Sequence, residues 1–298
     1  MGRSDRAAVI ALLKQSATEN SKDADVAAMR ARMDGLSEMF PQVPGTTVEP
    51  ATVGGVKGDW VRVGDARRDA VLLYLHGGGY MAGSPKSHRH LIAAFSQASG
   101  LSVFAPDYRL APENPFPAAV DDALAVYKAL LDSGIAADKL AIAGDSAGGG
   151  LTVATLIAAR DKKLPMPACA VCISPWADLS QSGEAYRTRA SRDPMITKAG
   201  LDQGAAMYLA GKDAKSPLAS PVFADLKGLP PLLLQVGTEE ALYDDTTALK
   251  ARAESAGVEV SAESWAGMVH VWHAFYPLLS EGRDAIARVG AYIGAHIA

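Results

Sequence analysis

Along most of the chain, short strand-like runs rich in apolar residues alternate with longer stretches in which apolar residues recur every three or four positions. The first pattern is typical of strands buried on both faces of a sheet, and the second predicts amphipathic helices. Strands are predicted at residues 47–53, 58–63, 70–75, 101–105, 139–143, 168–173, 231–237 and 258–265. Helices are predicted between them, among others at residues 85–99, 117–133, 149–160 and 274–298. This alternation indicates βαβ units and a mostly parallel sheet.

Two parts of the chain interrupt the alternation. The apolar pattern of residues 1–45 predicts amphipathic helices that end at prolines. Residues 178–220 are polar and turn-rich, and one helix is predicted there, near 198–208. Insertions at the carboxyl edge of a parallel sheet commonly cover a ligand site. We therefore divide the chain into a core, residues 46–177 and 221–298, and a helical cap built from the two remaining parts.

The composition excludes several classes of function. With 49% hydrophobic and 21% charged residues, the chain resembles an ordinary globular protein, and no apolar run is long enough to span a bilayer. The net charge of −4 and the lack of a Lys/Arg cluster argue against nucleic acid as a partner. The sequence MGRSDR at the start has no apolar core of signal-peptide type, so we expect a cytoplasmic protein with no membrane partner.

The two cysteines, Cys169 and Cys172, have the C-x-x-C spacing of a redox pair or of half a zinc site. They fall in a predicted buried strand, where side chains three positions apart point to opposite faces. No second cysteine pair is present to complete a tetrahedral site. We therefore predict two buried structural thiols, no metal and no cofactor.

The strongest chemical signal is GDSAG at residues 144–148, a G-x-S-x-G sequence between a predicted strand and a predicted helix. This is the context of a nucleophile elbow, a tight turn that exposes a serine. Glycine is needed there because a side chain would clash with neighbouring backbone. The following helix would direct its amide groups toward an anion forming beside Ser146. An ordinary strand-to-helix turn is the alternative.

A second glycine-rich segment, HGGGY at residues 76–80, follows the predicted strand of residues 70–75. Adjacent glycines lose much conformational freedom on folding, which suggests that the segment must keep its backbone amides unobstructed. An oxyanion hole has that requirement, because its N–H donors must approach to about 2.7–3.1 Å of the developing negative oxygen. A flexible linker is the alternative.

A serine hydroxyl becomes an effective nucleophile when a base accepts its proton and a carboxylate orients that base. Among six histidines, His270 lies in a loop after a late predicted strand, and His273 is its rival. The acid should follow the strand that ends at residue 237, so the candidates are Glu239, Glu240, Asp244 and Asp245. Position at the end of the strand favours Glu240, because the aspartates fall in the following helix.

Four segments now suggest a family: HGGG at 76–79, DYRLAPE at 107–113, GDSAGG at 144–149 and GMVH at 267–270. Together they resemble the hormone-sensitive-lipase-like carboxylesterases, bacterial family IV of the α/β-hydrolases. The resemblance covers nearly the whole chain from about residue 45. It implies an α/β-hydrolase fold with an eight-stranded, mostly parallel sheet under a helical cap. It also implies cleavage of short-chain acyl esters without a metal.

The resemblance assigns roles to individual residues. Ser146 corresponds to the nucleophile and His270 to the base, and the amides of Gly78, Gly79 and Ala147 correspond to the oxyanion hole. The acid of the family is usually an aspartate in a D-P-L-x-D pattern about 30 residues before the histidine. That position is occupied here by Glu240, which has one extra methylene, and Asp244 is the next candidate. The substrate pocket is expected to include Tyr80, Asp145, Trp176, Met207 and Tyr208, although each could be an ordinary core residue.

These observations predict a serine carboxylesterase that acts on a small-molecule ester through an acyl-enzyme. A lactone or amide hydrolase with the same triad is an alternative, because fold and triad leave substrate choice to the pocket. The third hypothesis is a non-catalytic receptor; plant gibberellin receptors resemble this family but lack the catalytic histidine. Many relatives dimerise through the sheet edge, so the last strand, residues 258–265, is a candidate homodimer contact.

Overall fold

The computed structural model describes residues 6–11, 13 and 25–297. The strands are β1 (Thr46–Val53), β2 (Val56–Val63), β3 (Arg67–Leu75), β4 (Leu101–Pro106), β5 (Leu140–Asp145), β6 (Cys169–Ile173), β7 (Leu232–Gly237) and β8 (Val260–Trp265). They form one sheet in the order β1-β2-β4-β3-β5-β6-β7-β8. Strand β2 is antiparallel to β1 and β4, and the other neighbours are parallel. The predicted eight-stranded, mostly parallel sheet is confirmed.

The α-helices of residues 25–297 are α1 (Val26–Leu36), α2 (Arg89–Ser99), α3 (Ala118–Asp132), α4 (Ala147–Asp161), α5 (Ala185–Thr188), α6 (Lys198–Leu209), α7 (Tyr243–Ser255) and α8 (Ser280–His296). Helix α2 begins later than predicted because the amides and hydroxyls of Ser84 and Ser87 bond to each other in a turn before it. Helix α8 also begins late, because a short 3₁₀ turn, Trp272–Phe275, comes first.

Apolar side chains cover both faces of the sheet. Helices α3, α4 and α7 contribute to the core on one face, and α2 and α8 contribute to the core on the other. Cys172 belongs to the first core and Cys169 to the second, and both thiols are free and buried. Burial raises the pKa of each to about 12. The prediction of structural thiols on opposite faces is confirmed.

The amino-terminal segments pack against loops beyond the carboxyl ends of the strands. In α1, the Arg30 guanidinium donates to the carbonyls of Met81 and Ala111 and pairs with Glu113 at 2.7 Å. Val9, in the helical segment of residues 6–11, packs beside Met268. Both contacts lie close to the segments that carry the predicted chemistry. Within the described residues, no helix is both long and apolar enough to cross a membrane.

Candidate active site

Ser146 occupies a strained turn between β5 and α4. Its backbone angles are φ 55° and ψ −122°, a combination that non-glycine residues rarely adopt. The turn is held in place because the Ser146 amide donates to the carbonyl of Ile173 and its carbonyl accepts from the amide of Trp176. The Ser146 side chain makes no capping bond to α4. The strand–turn–helix geometry expected of a nucleophile elbow is therefore present.

The glycines of this turn are required by its packing. A Cβ atom on Gly144 would lie 2.3 Å from the carbonyl oxygen of Gly148, and one on Gly148 would lie 2.0 Å from the carbonyl oxygen of Leu75. Both distances are far inside van der Waals contact with backbone atoms. The first turn of α4 can approach the end of β3 only when these positions carry no side chain.

The glycine loop, residues 76–80, presents unpaired amides beside this turn. Gly78 and Gly79 have φ values of 122° and 65°. A Cβ atom on Gly78 would meet the carbonyl oxygen of Ala82 at 2.1 Å. Within the described residues, the amides of Gly78 and Gly79 donate to no protein acceptor, and Ala147 is the first residue of α4, where amides lack helical partners. These are the donors that an oxyanion hole needs.

Asp145 joins the nucleophile turn to the glycine loop. Its Oδ1 accepts from the Tyr74 hydroxyl at 2.7 Å and from the Gly77 amide at 3.0 Å, and its Oδ2 lies 3.4 Å from His88 Nε2. Burial favours the neutral acid, but His88 and the bond from Tyr74 outweigh it and hold the pKa of Asp145 at about 2. Both oxygens face protein donors. Asp145, which the sequence predicts as a pocket residue, thus holds the glycine loop.

His76 is a structural residue of the same loop. Its ring stacks on Tyr108 with centroids 4.2 Å apart, and its Nδ1 bonds to the Gly77 carbonyl. The Tyr108 hydroxyl in turn donates to the His76 carbonyl. Burial lowers the pKa of His76 to about 3, so the ring is neutral and unsuited to take a proton at neutral pH.

The structure brings His270 and Glu240 together from the loops after β8 and β7. His270 Nδ1 lies 2.9 Å from Glu240 Oε2, and both side chains are buried. The acid loop, residues 237–241, folds back on itself because the Gly237 amide donates to Glu240 Oε1. A buried imidazole hydrogen-bonded to a carboxylate has a fixed tautomer, which leaves Nε2 as the acceptor.

The other candidates from the sequence have different partners. Glu239 pairs with Arg192, and His273 bonds to the Gln235 side chain at 2.7 Å. Asp244 accepts from the Ala185 amide. Asp245 accepts from the Tyr186 hydroxyl and from the amides of Ala177 and Asp178. Both aspartates therefore anchor residues 177–186, at the start of the predicted cap insertion, to α7, and among these candidates Glu240 alone contacts His270.

The electrostatic environment favours the charged form of His270. Burial acts to lower its pKa, but the hydrogen bond and charge of Glu240 outweigh burial, with smaller contributions from Asp193 and Asp145. The pKa of His270 therefore lies above the usual value for histidine. An imidazolium formed at this position is stabilised, as a general base requires after it accepts a proton.

Ser174 is a residue of the site that the sequence analysis missed. Its hydroxyl donates to Glu240 Oε1 at 2.8 Å and accepts from the Val271 amide at 3.2 Å. One side chain thus contacts both the acid and the backbone next to His270. A signal existed, because Ser174 is the first residue after β6, and polar residues at the carboxyl ends of adjacent parallel strands converge.

Four of the predicted pocket residues lie where the cap meets the glycine loop. Tyr80 stacks on Tyr208 with centroids 3.8 Å apart, and Trp176 lies 6.1 Å from Tyr80. All three are buried, and Met207, which precedes Tyr208 on α6, is half-buried. A Cβ atom on Gly204 would lie 3.3 Å from Trp176 and 3.5 Å from the Gly79 carbonyl oxygen. Helix α6 therefore packs directly on the glycine loop.

Among the described residues, no group of three His, Cys, Asp or Glu side chains is arranged to hold a metal.

Comparison with known proteins gives the family. A sequence profile described as an alpha/beta hydrolase fold matches residues 72–274. An acetyl-hydrolase from Streptomyces hygroscopicus is 49% identical over 275 residues, which cover 92% of this chain and 91% of that protein. The chain belongs to the α/β-hydrolase family.

Comparison with solved structures assigns this α/β-hydrolase to a narrower family. An esterase from the bacterial hormone-sensitive lipase family has a TM-score of 0.97 and 43% identity, with 100% of both chains covered. The structure of EstE5, from a crystal soaked with p-nitrophenyl butyrate, has a TM-score of 0.95 and 45% identity, with 99% of both chains covered. The α/β-hydrolase is therefore a member of the bacterial hormone-sensitive lipase family and a carboxylic ester hydrolase.

Proposed function

We propose that this esterase cleaves short-chain acyl esters with a triad of Ser146, His270 and Glu240. The observation that carries the proposal is the buried contact of 2.9 Å between His270 Nδ1 and Glu240 Oε2. It supplies an oriented base on the loop after β8, and Ser146 stands on a strained turn after β5. Serine, acid and histidine follow each other in the chain order typical of this fold.

In the first half of the reaction, His270 Nε2 takes the hydroxyl proton of Ser146 while the serine oxygen attacks the ester carbonyl carbon. The carbonyl π electrons move onto its oxygen, and the amides of Gly78, Gly79 and Ala147 stabilise this oxyanion. Glu240 stabilises the imidazolium. The intermediate then collapses, and the bond to the leaving alcohol breaks as His270 returns its proton to that oxygen.

In the second half, water attacks the acyl-enzyme. His270 takes one proton from the water, and the same amides stabilise the second oxyanion. Collapse releases the carboxylic acid and returns the proton to Ser146. The protein's own groups thus provide the nucleophile, the base and the oxyanion donors.

Three observations support a short acyl chain. A relative is named an acetyl-hydrolase, and a structural neighbour was soaked with a butyrate ester. In this chain, Tyr80, Trp176 and Tyr208 pack against one another where α6 meets the glycine loop, and we infer that they limit the length of the acyl group. The receptor hypothesis is set aside because the protein is an ester hydrolase and keeps the histidine–carboxylate contact.

The proposal is tested with p-nitrophenyl acetate, butyrate, octanoate and dodecanoate, and with lactone and anilide substrates of similar acyl size. We expect kcat/KM to be highest for acetate or butyrate and to fall with chain length. Ser146→Ala should lower kcat by about 10⁵-fold without loss of the folded state, since the nucleophile is removed. A preference for dodecanoate would contradict the short-chain assignment, and turnover retained by Ser146→Ala would contradict the triad.

The homodimer remains a proposal of its own. Strand β8 is at the edge of the sheet, so its outer backbone groups are available to pair with a second copy. Light scattering across a dilution series measures the oligomeric state directly, and a monomer at every concentration would contradict it. The cytoplasmic location stays a prediction.

A further inference from the structure

A segment of the cap insertion forms hydrogen bonds with the acid loop on both sides of Glu240. This cap segment, residues 189–193, lies between α5 and α6. Arg189 donates to the Thr238 carbonyl, and its guanidinium lies 3.7 Å from the centre of the Tyr243 ring. Its neighbour Arg192 bonds to both oxygens of Glu239. On the far side of Glu240, Asp193 Oδ2 accepts from the Ala241 amide at 2.9 Å.

The contact of Asp193 differs in kind from that of Arg192. Half of the Arg192 side chain is exposed, and ion pairs in water contribute little. Asp193 is only 6% exposed, and its Oδ1 accepts from the amides of Met195 and Ile196 while Oδ2 accepts from Ala241. Three backbone donors on two oxygens give this carboxylate one orientation. The Asp193 side chain is therefore held in a fixed orientation against the backbone that follows Glu240.

The sequence departs from the family pattern at the position that Asp193 contacts. In the D-P-L-x-D pattern the acid is followed by proline, which has no N–H, whereas Glu240 is followed by Ala241. Ala241 keeps a donor that proline would lack, and Asp193 accepts it. Alanine also constrains the backbone less than proline does. The cap aspartate thus supplies a restraint on the acid loop at a point where the chain lacks the stiffer residue.

We propose that Asp193 is a positioning residue for the reaction: it fixes the backbone after Glu240 through the Ala241 amide and places a second negative charge beside the Glu240–His270 pair. This rests on the proposed function of those two residues. The alignment of the acid then depends on the cap segment as well as on the sheet.

The charge of Asp193 has a consequence that a purely structural role lacks. The titratable groups that act on His270 or are acted on by it are Glu240 in the acid loop, Asp193 in the cap, Asp145 at the nucleophile turn and the neutral His273. Asp193 contributes to raising the pKa of His270. Removing this charge should lower that pKa, and His270 would then stay unprotonated, and active, at lower pH.

The test compares Asp193→Asn with wild type on p-nitrophenyl butyrate, measuring kcat and KM across pH. We expect kcat to fall about 10- to 100-fold, since small misplacements of an orienting group are costly, with KM nearly unchanged. The acid limb of the kcat/KM profile should move to lower pH. A folded variant with wild-type kcat and an unmoved acid limb would overturn the proposal.

Two further variants separate the contact from the charge. Ala241→Pro removes the N–H but keeps Asp193, so its acid limb should stay at the wild-type pH; a shift as large as that of Asp193→Asn would overturn the role of the charge. Asp178→Asn is the matched control, a buried cap aspartate that accepts from the amides of Ser180 and Ser182. It should lower thermal stability without moving the acid limb, and a limb that moves equally in it would overturn the assignment to Asp193.

Failure of the proposed function would look different. If Glu240→Gln retained full activity, the triad itself would be wrong, whatever Asp193→Asn did. If Glu240→Gln were inactive and Asp193→Asn behaved as wild type, only the role of Asp193 would fail.

Discussion

The two sides of the candidate site are held in place by different forces. On the nucleophile side, residues 76–80 and 144–150, backbone packs directly on backbone, and Gly148 lies so close to Leu75 that no side chain fits. On the acid–base side, Ser174, residues 237–241 and residues 267–271, the positions depend on side-chain hydrogen bonds to Glu240 and His270. Backbone also packs closely on the second side, where a Cβ on Gly237 would lie 2.2 Å from the Met268 carbonyl oxygen, but there the two reacting side chains themselves are placed by polar contacts.

This difference predicts how each side responds to substitution. A Cβ atom only 2.0 Å from a backbone oxygen cannot be accommodated by moving one side chain, so a substitution on the nucleophile side should displace the whole turn. A single hydrogen bond contributes about 1 kcal/mol, so contacts on the acid–base side should be lost one at a time. Three substitutions test the contrast.

The largest effect is expected from Gly148→Ala. The new methyl group would force α4 away from the end of β3, at a cost of about 3 kcal/mol or more. We expect the variant either not to fold or to unfold about 10 °C below wild type, as measured by calorimetry. The control is Gly294→Ala in α8, where a Cβ meets nothing within 4 Å, so stability should be unchanged or slightly higher. Equal stability of Gly148→Ala and wild type would show that shape does not fix this side.

Glu240→Gln should leave the fold intact and damage the chemistry. Loss of the charge should lower kcat by about 10³-fold, because the imidazolium loses its stabilising partner. The pKa of His270 should fall for the same reason, so the acid limb of the remaining activity should shift to lower pH. Asp244→Asn is the control, since Asp244 bonds to the Ala185 amide and should keep most activity. The acid would have to be reassigned if Asp244→Asn were the inactive variant.

The smallest effect is expected from Ser174→Ala. Glu240 loses one of two donors to Oε1, so kcat should fall about 10-fold, and stability should drop by about 1–3 kcal/mol for the unpaired buried groups. Ser96→Ala is matched to it, because that buried hydroxyl donates to the Leu101 carbonyl and accepts from the Val63 amide. The control should lose stability and keep its kcat. Equal kcat in the two variants would remove Ser174 from the site.

The same contrast explains what the sequence could predict. Strand positions follow from local apolar runs, the eight-stranded sheet is what the family resemblance implies, and Ser146 and the glycine loop follow from motifs within a few residues. Glu240 and His270 could be singled out because each follows a predicted strand. Ser174 also follows a predicted strand, but no motif connects it with Glu240, 66 residues away. Asp193 could not be found in this way, since it follows no strand and its partner Ala241 is 48 residues away. The hydrogen bond between Asp145 and Tyr74, 71 residues apart, could not be predicted for the same reason.

Because the two natural cysteines are unreactive, a cysteine introduced in the cap can be labelled selectively. Thiolate, the reactive form of cysteine, is scarce at neutral pH when the pKa of the thiol is about 12, and both thiols are also shielded from solvent. A maleimide dye should therefore react with a cysteine introduced at Met195, which is 40% exposed and two residues after Asp193, without prior removal of Cys169 and Cys172. Fluorescence from that position would report on the cap segment during turnover in an otherwise unmodified enzyme.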